Sequence, residues 1–207
     1  GGDATSYVHW QSYMSSDIEV CGILLPGRGA RFNQTTICSW PVLIRSIFDA
    51  INEEDDVPFA FFGHSLGALI SFEVARMFQK RGLRLPVHLF VSSCNPPSLI
   101  REGRLIRNLT DQALIDILRN YDGTPPEILE NQELMQLLLP AIRADFTLVD
   151  HYKYVPRNPL NLSLTAVSGS NDKLINPLTI TAWEDEISQS FTHKWLDGGH
   201  FYSKKEN

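Results

Sequence analysis

Residues 57–70 have the sequence VPFAFFGHSLGALI, in which an apolar run, the motif G-x-S-x-G and a second apolar run follow without interruption. The first run, residues 57–62, predicts a short strand, and the pattern from Leu66 to Arg81 predicts a buried helix that is apolar on most sides. A strand-to-helix turn this sharp holds its serine in a strained backbone conformation. Ser65 is therefore a candidate nucleophile, raised above a sheet at the positive end of a helix.

Two glycines flank this serine, Gly63 and Gly67. We expect both to be required, because a β-carbon at either position would collide with the neighbouring elements of so tight a turn. The motif also occurs by accident, and an incidental turn is the alternative interpretation. Its position directly between a predicted strand and a predicted helix is the context that a catalytic serine requires.

Outward from the motif, predicted strands alternate with predicted helices. The strands are expected at residues 18–25, 57–62, 86–93, 162–167 and 191–196, and the helices at 41–51 behind Ser39, at 66–81 before Gly82 and from Pro177 behind Asn176. Nearly continuous apolar runs are typical of strands buried on both faces. We therefore predict a single α/β domain over residues 1–207, with a mostly parallel sheet and helices on both faces.

A segment without strand signals, at about residues 99–155, interrupts this alternation. Three helical patterns follow one another there, and Thr110 is the expected cap of the first. An all-helical insertion between strands is typical of a lid over an active site. An ordinary peripheral layer of helices is the alternative.

A serine hydroxyl is a weak nucleophile, so it needs a base, and the base needs an orienting acid. In this type of fold the expected chain order is Ser, then Asp or Glu, then His. Of the six histidines, His200 lies in a glycine-rich loop, residues 197–201, after the last predicted strand. Its side chain can reach back over the edge of the sheet, so His200 is the candidate base. A loop histidine exposed to water is the alternative.

The acid should follow the carboxyl end of a strand. Asp172 does so, in the turn-forming sequence SGSND at residues 168–172. The other strand end of this region, residues 92–95, has no carboxylate, and Asp145 and Asp150 belong to the helical insertion. Asp172 is therefore the candidate acid, with an aspartate that only caps its loop as the alternative.

A serine nucleophile also needs backbone donors for the oxyanion that it creates. We expect one from the N–H of Leu66 and a second from the loop after the first strand, of which Gly1 and Gly2 are the expected remnant. The chain starts without a methionine and stops at residues 204–207, soon after its most glycine-rich segment. We expect it to be truncated at both ends.

Composition limits the class of partner. Of the 207 residues, 43% are hydrophobic and 20% charged, which is ordinary for a globular domain and argues against a disordered chain. The net charge of −6 argues against nucleic-acid binding. No apolar run approaches the roughly 18 residues of a membrane span.

The three cysteines, Cys21, Cys38 and Cys94, have the spacing of neither a disulfide framework nor a zinc site. We therefore expect a reducing compartment, the cytoplasm, and neither a metal nor another cofactor. We also expect a monomer.

Several further stretches are shared with a known family. They are Gly1-Gly2 with Trp10 nearby, LPGR at residues 25–28, residues 58–67, PAIRADF at 140–146, GSND at 169–172 and GGHFY at 198–202. Through them nearly the whole chain resembles the type II thioesterases. This family of α/β hydrolases includes the medium-chain acyl thioesterase of animal fatty-acid synthesis and the stand-alone editing thioesterases of polyketide and nonribosomal peptide synthases.

The resemblance implies that Ser65 is the nucleophile, Asp172 the orienting acid and His200 the base, and that the insertion is a lid that shapes an acyl channel. It implies hydrolysis of an acyl chain from the phosphopantetheine thiol of an acyl carrier protein. Such a carrier is usually acidic, and this chain is acidic too. Docking would therefore need a local basic patch.

Two basic clusters are candidates for that patch, with solvated surface charge as the alternative. They are Arg101, Arg104 and Arg107 at the entrance of the lid, and Arg76, Lys80, Arg81 and Arg84. Arg28 follows a predicted strand end, where it either lines the groove or pairs with a carboxylate.

Three other functions stay open from the residues alone. An esterase or lipase would use the same three residues on oxygen esters. A non-catalytic module that binds a carrier would keep the fold and lose those residues. Acyl transfer to an acceptor other than water depends on how well the lid excludes solvent.

Overall fold

A parallel sheet of four strands organises the described part of the chain. The structure, a computed structural model, describes residues 4–52, 57–100, 108–121 and 123–202. The strands are β1 (Phe61–His64), β2 (His88–Ser92), β3 (Ser163–Gly169) and β4 (Phe191–Leu196), in the order β1-β2-β3-β4. Each neighbouring pair is parallel, which confirms the predicted sheet.

The two faces of this sheet differ in burial. Side chains alternate between the faces along a strand. Leu89, Val91 and Leu164 point to one face and are almost fully buried, whereas Phe90, between the first two on β2, is 37% exposed. The register places Phe62 beside Phe90 on this second face. The core therefore lies on the side of Leu89.

Two helices pack on the Leu89 side. The first, α1 (Trp40–Asn52), begins after Ser39, whose carbonyl accepts an amide hydrogen bond from the first turn. The second, α2 (Leu66–Arg81), ends at Gly82, which has a left-handed φ of 66° that glycine adopts without steric cost. Side chains of α2 share one buried cluster with Leu89 and another with α1. Both predicted helices are confirmed.

A 3-10 helix, Ala4–Tyr13, contacts the other face. The rings of Tyr7 and Trp10 lie 5.7 and 4.7 Å from the ring of Phe62 on β1, centroid to centroid. Shorter 3-10 segments occur at Gly29–Arg31, Pro97–Leu99 and Ile180–Glu186.

Three helices follow β2, as the sequence predicts: α3 (Asp111–Tyr121), α4 (Pro126–Glu130) and α5 (Gln132–Asp150). The hydroxyl of Thr110 accepts a hydrogen bond of 3.3 Å from the amide of Ala113, so the predicted cap is confirmed. The helices bury a cluster of their own, formed by Leu114, Leu118, Leu129, Met135, Leu139 and Ile142. We call residues 108–121 and 123–150 the helical insertion.

The predicted strand at residues 18–25 is wrong. This segment pairs with no strand among the described residues, and Ile18 and Ile23 are half exposed. The side chain of Gln11 instead accepts from the amide of Val20 and donates to the carbonyl of Ile18. A β-rich sequence forms a strand only beside a neighbour that completes its hydrogen bonds, and propensity alone does not supply that neighbour.

Two other elements are displaced from their predicted positions. The strand expected at residues 57–62 is Phe61–His64, so the apolar run begins before the strand does. After Asn176 the chain makes a turn, in which the amide of Leu178 donates to the Asn176 side chain, and a 3-10 helix then follows at Ile180–Glu186. No helix in the described part of the chain is long and apolar enough to cross a membrane.

Candidate active site

Ser65 occupies the predicted sharp turn between β1 and α2. Its φ of 54° is one that side-chain-bearing residues rarely adopt, and hydrogen bonds hold it there. Its amide donates to the carbonyl of Ser92 at 2.8 Å, and its own carbonyl accepts from Ala68 at 3.0 Å. A β-carbon on Gly63 would overlap the carbonyl of Gly67, so glycine is required at residue 63.

The expectation for Gly67 is wrong. A β-carbon built there would meet nothing within 4 Å. Gly67 lies in the first turn of α2, and a β-carbon at this position would face open space. Steric crowding therefore requires glycine on the strand side of Ser65, at Gly63, and not on the helix side, at Gly67.

The structure brings Ser65, His200 and Asp172 together at the carboxyl ends of β1, β4 and β3. The imidazole of His200 lies 3.1 Å from Oγ of Ser65 through Nε2 and 2.8 Å from Oδ2 of Asp172 through Nδ1. An ionised carboxylate can only accept, so Nδ1 carries the proton and Nε2 is free to accept from Ser65. We call these three residues the triad.

Asp172 is the most enclosed member of the triad, with a side chain that is 0% exposed. Its Oδ1 accepts a hydrogen bond of 2.9 Å from the amide of Leu174. Burial by itself raises the pKa of Asp172, but the hydrogen bonds from His200 and Leu174 more than offset it and leave the pKa below its usual value. The carboxylate is therefore ionised near neutral pH.

Ser93 and Asn95, which the sequence argument passed over, hold the loops of the triad. Ser93 is buried with a φ of 47°, and its hydroxyl donates to the backbone carbonyl of His200 at 3.0 Å. The Asn95 side chain donates to the carbonyl of Leu174 and accepts from the amide of Asn176. Both follow the end of β2, which has no carboxylate, and hydroxyl and amide groups at a strand end are the sequence signal for such residues.

The histidines His64, His88 and His193 lie outside the triad. His64 turns its Nδ1 to Ser92 Oγ at 2.9 Å, and that hydroxyl lies 2.6 Å from the phenol of Tyr202. His88 bonds Thr165 on the sheet, and His193 lies within β4. Among the described histidines, His200 is the one that hydrogen-bonds Ser65.

The expected oxyanion donor Leu66 is the first residue of α2, directly after Ser65. Its amide therefore belongs to the positive end of a helix of 16 residues. The second expected donor, at Gly1-Gly2, lies outside the described residues. So do Arg101, Arg104 and Arg107.

The second basic cluster does not form one surface. Arg76 is 5% exposed and bonds Glu73 and the carbonyl of Val155, whereas Lys80, Arg81 and Arg84 are exposed. Of the two expectations for Arg28, pairing with a carboxylate is confirmed. Its guanidinium makes two hydrogen bonds to Asp145 on α5, at 2.8 and 3.1 Å, and both side chains are about nine-tenths buried.

The helical insertion reaches the triad at one corner. The Tyr121 ring at the end of α3 lies 5.9 Å from the His200 ring, at an interplanar angle of 33°. Gly123, between α3 and α4, lies so close to Phe201 that an added β-carbon would overlap the phenyl ring. The insertion therefore covers the histidine side of the site.

The cysteines are separate from this site. None of the three forms a disulfide within the described part of the chain, and burial raises the pKa of Cys94 to about 12, which leaves that thiol protonated and unreactive. Within the described ranges, no three His, Cys, Asp or Glu side chains gather as metal ligands would.

A parallel sheet with Ser, Asp and His at its carboxyl edge, in that chain order, defines the class of protein as an α/β hydrolase. The family model described as Thioesterase domain matches residues 1–207. The chain belongs to the thioesterase family, whose members hydrolyse acyl thioesters.

Two curated relatives cover almost all of the chain. Linear gramicidin dehydrogenase LgrE of Brevibacillus parabrevis is 40% identical over 100% of this chain and 80% of its own length. Gramicidin S biosynthesis protein GrsT of Aneurinibacillus migulanus is 35% identical over 98% of this chain and 79% of its own. The first is named a dehydrogenase, whereas the family match and the triad geometry are those of a hydrolase.

Among solved structures, the RedJ thioesterase from the prodiginine pathway of Streptomyces coelicolor superposes with a TM-score of 0.91. It is 32% identical and covers 99% of this chain and 76% of its own. A type II thioesterase, BorB from the borrelidin cluster, gives a TM-score of 0.88 at 32% identity, over 97% of this chain and 82% of its own. The resemblance to type II thioesterases is thereby confirmed.

Proposed function

We propose that Ser65 is the nucleophile, His200 the general base and Asp172 the orienting acid of this thioesterase. The observation that carries the proposal is the continuous hydrogen-bonded chain from the Ser65 hydroxyl through His200 to the buried carboxylate of Asp172. The proton on Nδ1 leaves Nε2 as the acceptor, which is the tautomer that general-base catalysis needs.

In the first half of the reaction Ser65 Oγ attacks the thioester carbonyl while Nε2 of His200 takes the hydroxyl proton. The C–S bond then breaks, and His200 returns the proton to the departing sulfur, which leaves as a thiol. In the second half a water molecule gives its proton to Nε2 and attacks the acyl-serine. Collapse of that intermediate releases the free acid and restores the Ser65 hydroxyl.

The backbone N–H of Leu66 is the proposed donor to the oxyanion of both intermediates. Its place at the first position of α2 supports this role, because unpaired amides and the helix dipole both favour negative charge there. Loss of one such donor typically costs about 10² to 10³ in turnover.

The proposed substrate is an acyl chain on the phosphopantetheine arm of a carrier protein, in nonribosomal peptide or polyketide synthesis. The gramicidin relatives favour peptide synthesis. The lack of a disulfide among the three described cysteines favours a reducing compartment, the cytoplasm. The expected monomer stays a prediction for sedimentation analysis.

A pair of hydrolysis assays tests the triad and the substrate class together. An acyl thioester and the matching oxygen ester are offered to the wild type and to Ser65→Ala, with Ser46→Ala, on the exposed face of α1, as a matched control. We expect the wild type and the control to prefer the thioester and Ser65→Ala to lose at least about 10³ in kcat. Activity that survives in Ser65→Ala would refute the nucleophile, and preference for the oxygen ester would support an esterase.

A further inference from the structure

We propose that Gly123 and Phe201 form a latch that sets the position of the helical insertion over His200, so that both act as positioning residues in thioester hydrolysis. This inference rests on the proposed function. Both residues lie outside the triad, and their contact joins the insertion to the loop that carries His200.

The ring of Phe201 is confined by two histidines. Its centroid lies 4.9 Å from that of His200, at an interplanar angle of 89°, and 5.2 Å from that of His64. The two imidazole rings therefore leave the phenyl ring little room on their sides, so a group that clashes with it is itself displaced. The third side of the ring faces the insertion.

The backbone of Gly123 lies against this third side of the phenyl ring. A β-carbon there would overlap Cε2 and Cζ of Phe201, so the glycine is needed for close approach. Contact with one aromatic ring is thus the reason for glycine at residue 123.

Tyr121 adds a second contact on the same side of the site. Its ring lies 5.9 Å from the His200 ring and 6.0 Å from the ring of Phe146 on α5, with interplanar angles near 30° in both cases. The insertion thus contacts the loop that carries His200 through Tyr121 and Gly123, which are two positions apart in the chain. A shift of the insertion away from Phe201 would also remove Tyr121 from His200.

The consequence concerns acyl chains long enough to touch the insertion. A long chain needs a wall in a defined position beside the triad, whereas an acetyl group is held by the triad region alone. Displacement by about 1 Å can cost up to 10²-fold in rate when it misplaces the substrate. Disturbance of the latch should therefore act on long acyl chains and spare short ones.

The test is Gly123→Ala, alone and combined with Phe201→Leu, which removes the ring atoms that the new β-carbon would meet. We expect Gly123→Ala to lower kcat/KM for a dodecanoyl thioester about tenfold and for an acetyl thioester less than about twofold. Hydrogen exchange of α3 and α4 should become faster. The double variant should recover to within about threefold of wild type, because the two substitutions are coupled.

Gln136→Ala, exposed on α5, is the matched control and should leave both rates and the exchange unchanged. Equal losses on the two thioesters, or additive effects of Gly123→Ala and Phe201→Leu, would overturn the latch. Hydrogen exchange of the helical insertion is measured on the resting protein and needs no turnover. A wild type without thioesterase activity would refute the proposed function, while the exchange data would still decide the latch.

Discussion

At the scale of single residues, the site concentrates backbone strain in two serine turns. Ser65 and Ser93 both have positive φ, and among the described residues they are the ones other than glycine that do. Such conformations cost on the order of 1–3 kcal/mol each and persist only where the surroundings over-determine them. Here the amide of Ser65 bonds Ser92 and the amide of Ser93 bonds Val167, so the two strand ends hold both turns.

Asp172→Asn tests the tautomer of His200. An asparagine would present an N–H to Nδ1 and so favour the imidazole that carries its proton on Nε2, which cannot accept from Ser65. We expect kcat to fall by about 10⁴, as for the equivalent change in other Ser–His–Asp enzymes, with little change in KM. Asp185→Asn, at an exposed position, should leave kcat unchanged. An Asp172→Asn variant within about tenfold of wild type would contradict the assignment of the acid.

Asp172→Asn should also change how the free energy of unfolding depends on pH. Because the folded-state pKa of Asp172 is lowered from 3.8, its ionised form stabilises the fold fully above about pH 3.8. This contribution is lost as the pH falls through the lower folded-state value. The gap in unfolding free energy between wild type and Asp172→Asn should therefore narrow as the pH is lowered below 4. Chemical denaturation at several pH values measures it, and a gap that stays constant would contradict the shift.

At the scale of elements, the ion pair between Arg28 and Asp145 joins the insertion to the body of the protein. Arg28 follows the turn at Pro26-Gly27, and Asp145 lies on α5, 117 residues away in the chain. The pair is bidentate and mostly buried, unlike Arg45–Asp49 on α1, where both side chains are about half exposed. Its geometry places α5 in one orientation on the body.

Removal of one partner should be far more costly at the buried pair. Asp145→Asn leaves the Arg28 guanidinium buried without its carboxylate, and we expect a loss of about 3 kcal/mol in unfolding free energy. Asp49→Asn, the matched surface control, should cost less than about 1 kcal/mol. The double change Arg28→Met with Asp145→Leu should recover part of the loss. Urea denaturation measures all of these, and equal losses at the buried and exposed pairs would contradict the account.

At the scale of the whole molecule, the length of α2 separates the exposed basic residues of the second cluster from Ser65. Ser65 stands at the start of α2, and Lys80 and Arg81 stand at its end. Sixteen residues at 1.5 Å each make that helix about 24 Å long, so the exposed basic residues of this cluster lie far from Ser65. A carrier that delivers its thioester to Ser65 has no need to contact them.

Charge reversal distinguishes the clusters. Arg101→Glu with Arg104→Glu should slow hydrolysis of carrier-bound acyl chains about tenfold, through slower association with an acidic partner, and should spare small thioester analogues. Lys80→Glu with Arg84→Glu makes the same change in net charge and should leave both rates within about twofold. Equal effects of the two pairs, or equal effects of the first pair on both substrates, would refute a docking patch at Arg101 and Arg104.

Local patterns predicted most of the elements. Helical periodicity and caps at Ser39 and Thr110 were sufficient for α1 and α3, and β4 begins and ends at the predicted residues 191 and 196. The error at residues 18–25 has a physical cause. A helix completes its hydrogen bonds within its own segment, whereas a strand depends on a partner that its own sequence does not reveal.

The candidate site divides in the same way. The types and order of the triad residues could be read from the chain, because a nucleophile turn has local requirements and the base and acid follow strand ends. The distances of 3.1 and 2.8 Å around His200 could not, since they depend on the parallel strand order β1-β2-β3-β4, which brings the ends of β1, β3 and β4 to one edge of the sheet. The same is true of Ser93, whose bond to His200 joins residues 107 apart.

The amino-acid order alone thus determined the strand-to-helix turn at Ser65, the helical insertion and the membership of a thioesterase family. Tertiary structure decided which side chains meet: Arg28 with Asp145, Gly123 with Phe201, and Ser93 with the loop of His200. The reason is range. Turns, caps and periodicity depend on neighbours within a few residues, whereas these contacts exist only after the core of leucines and aromatic side chains has brought distant loops to one edge of the sheet.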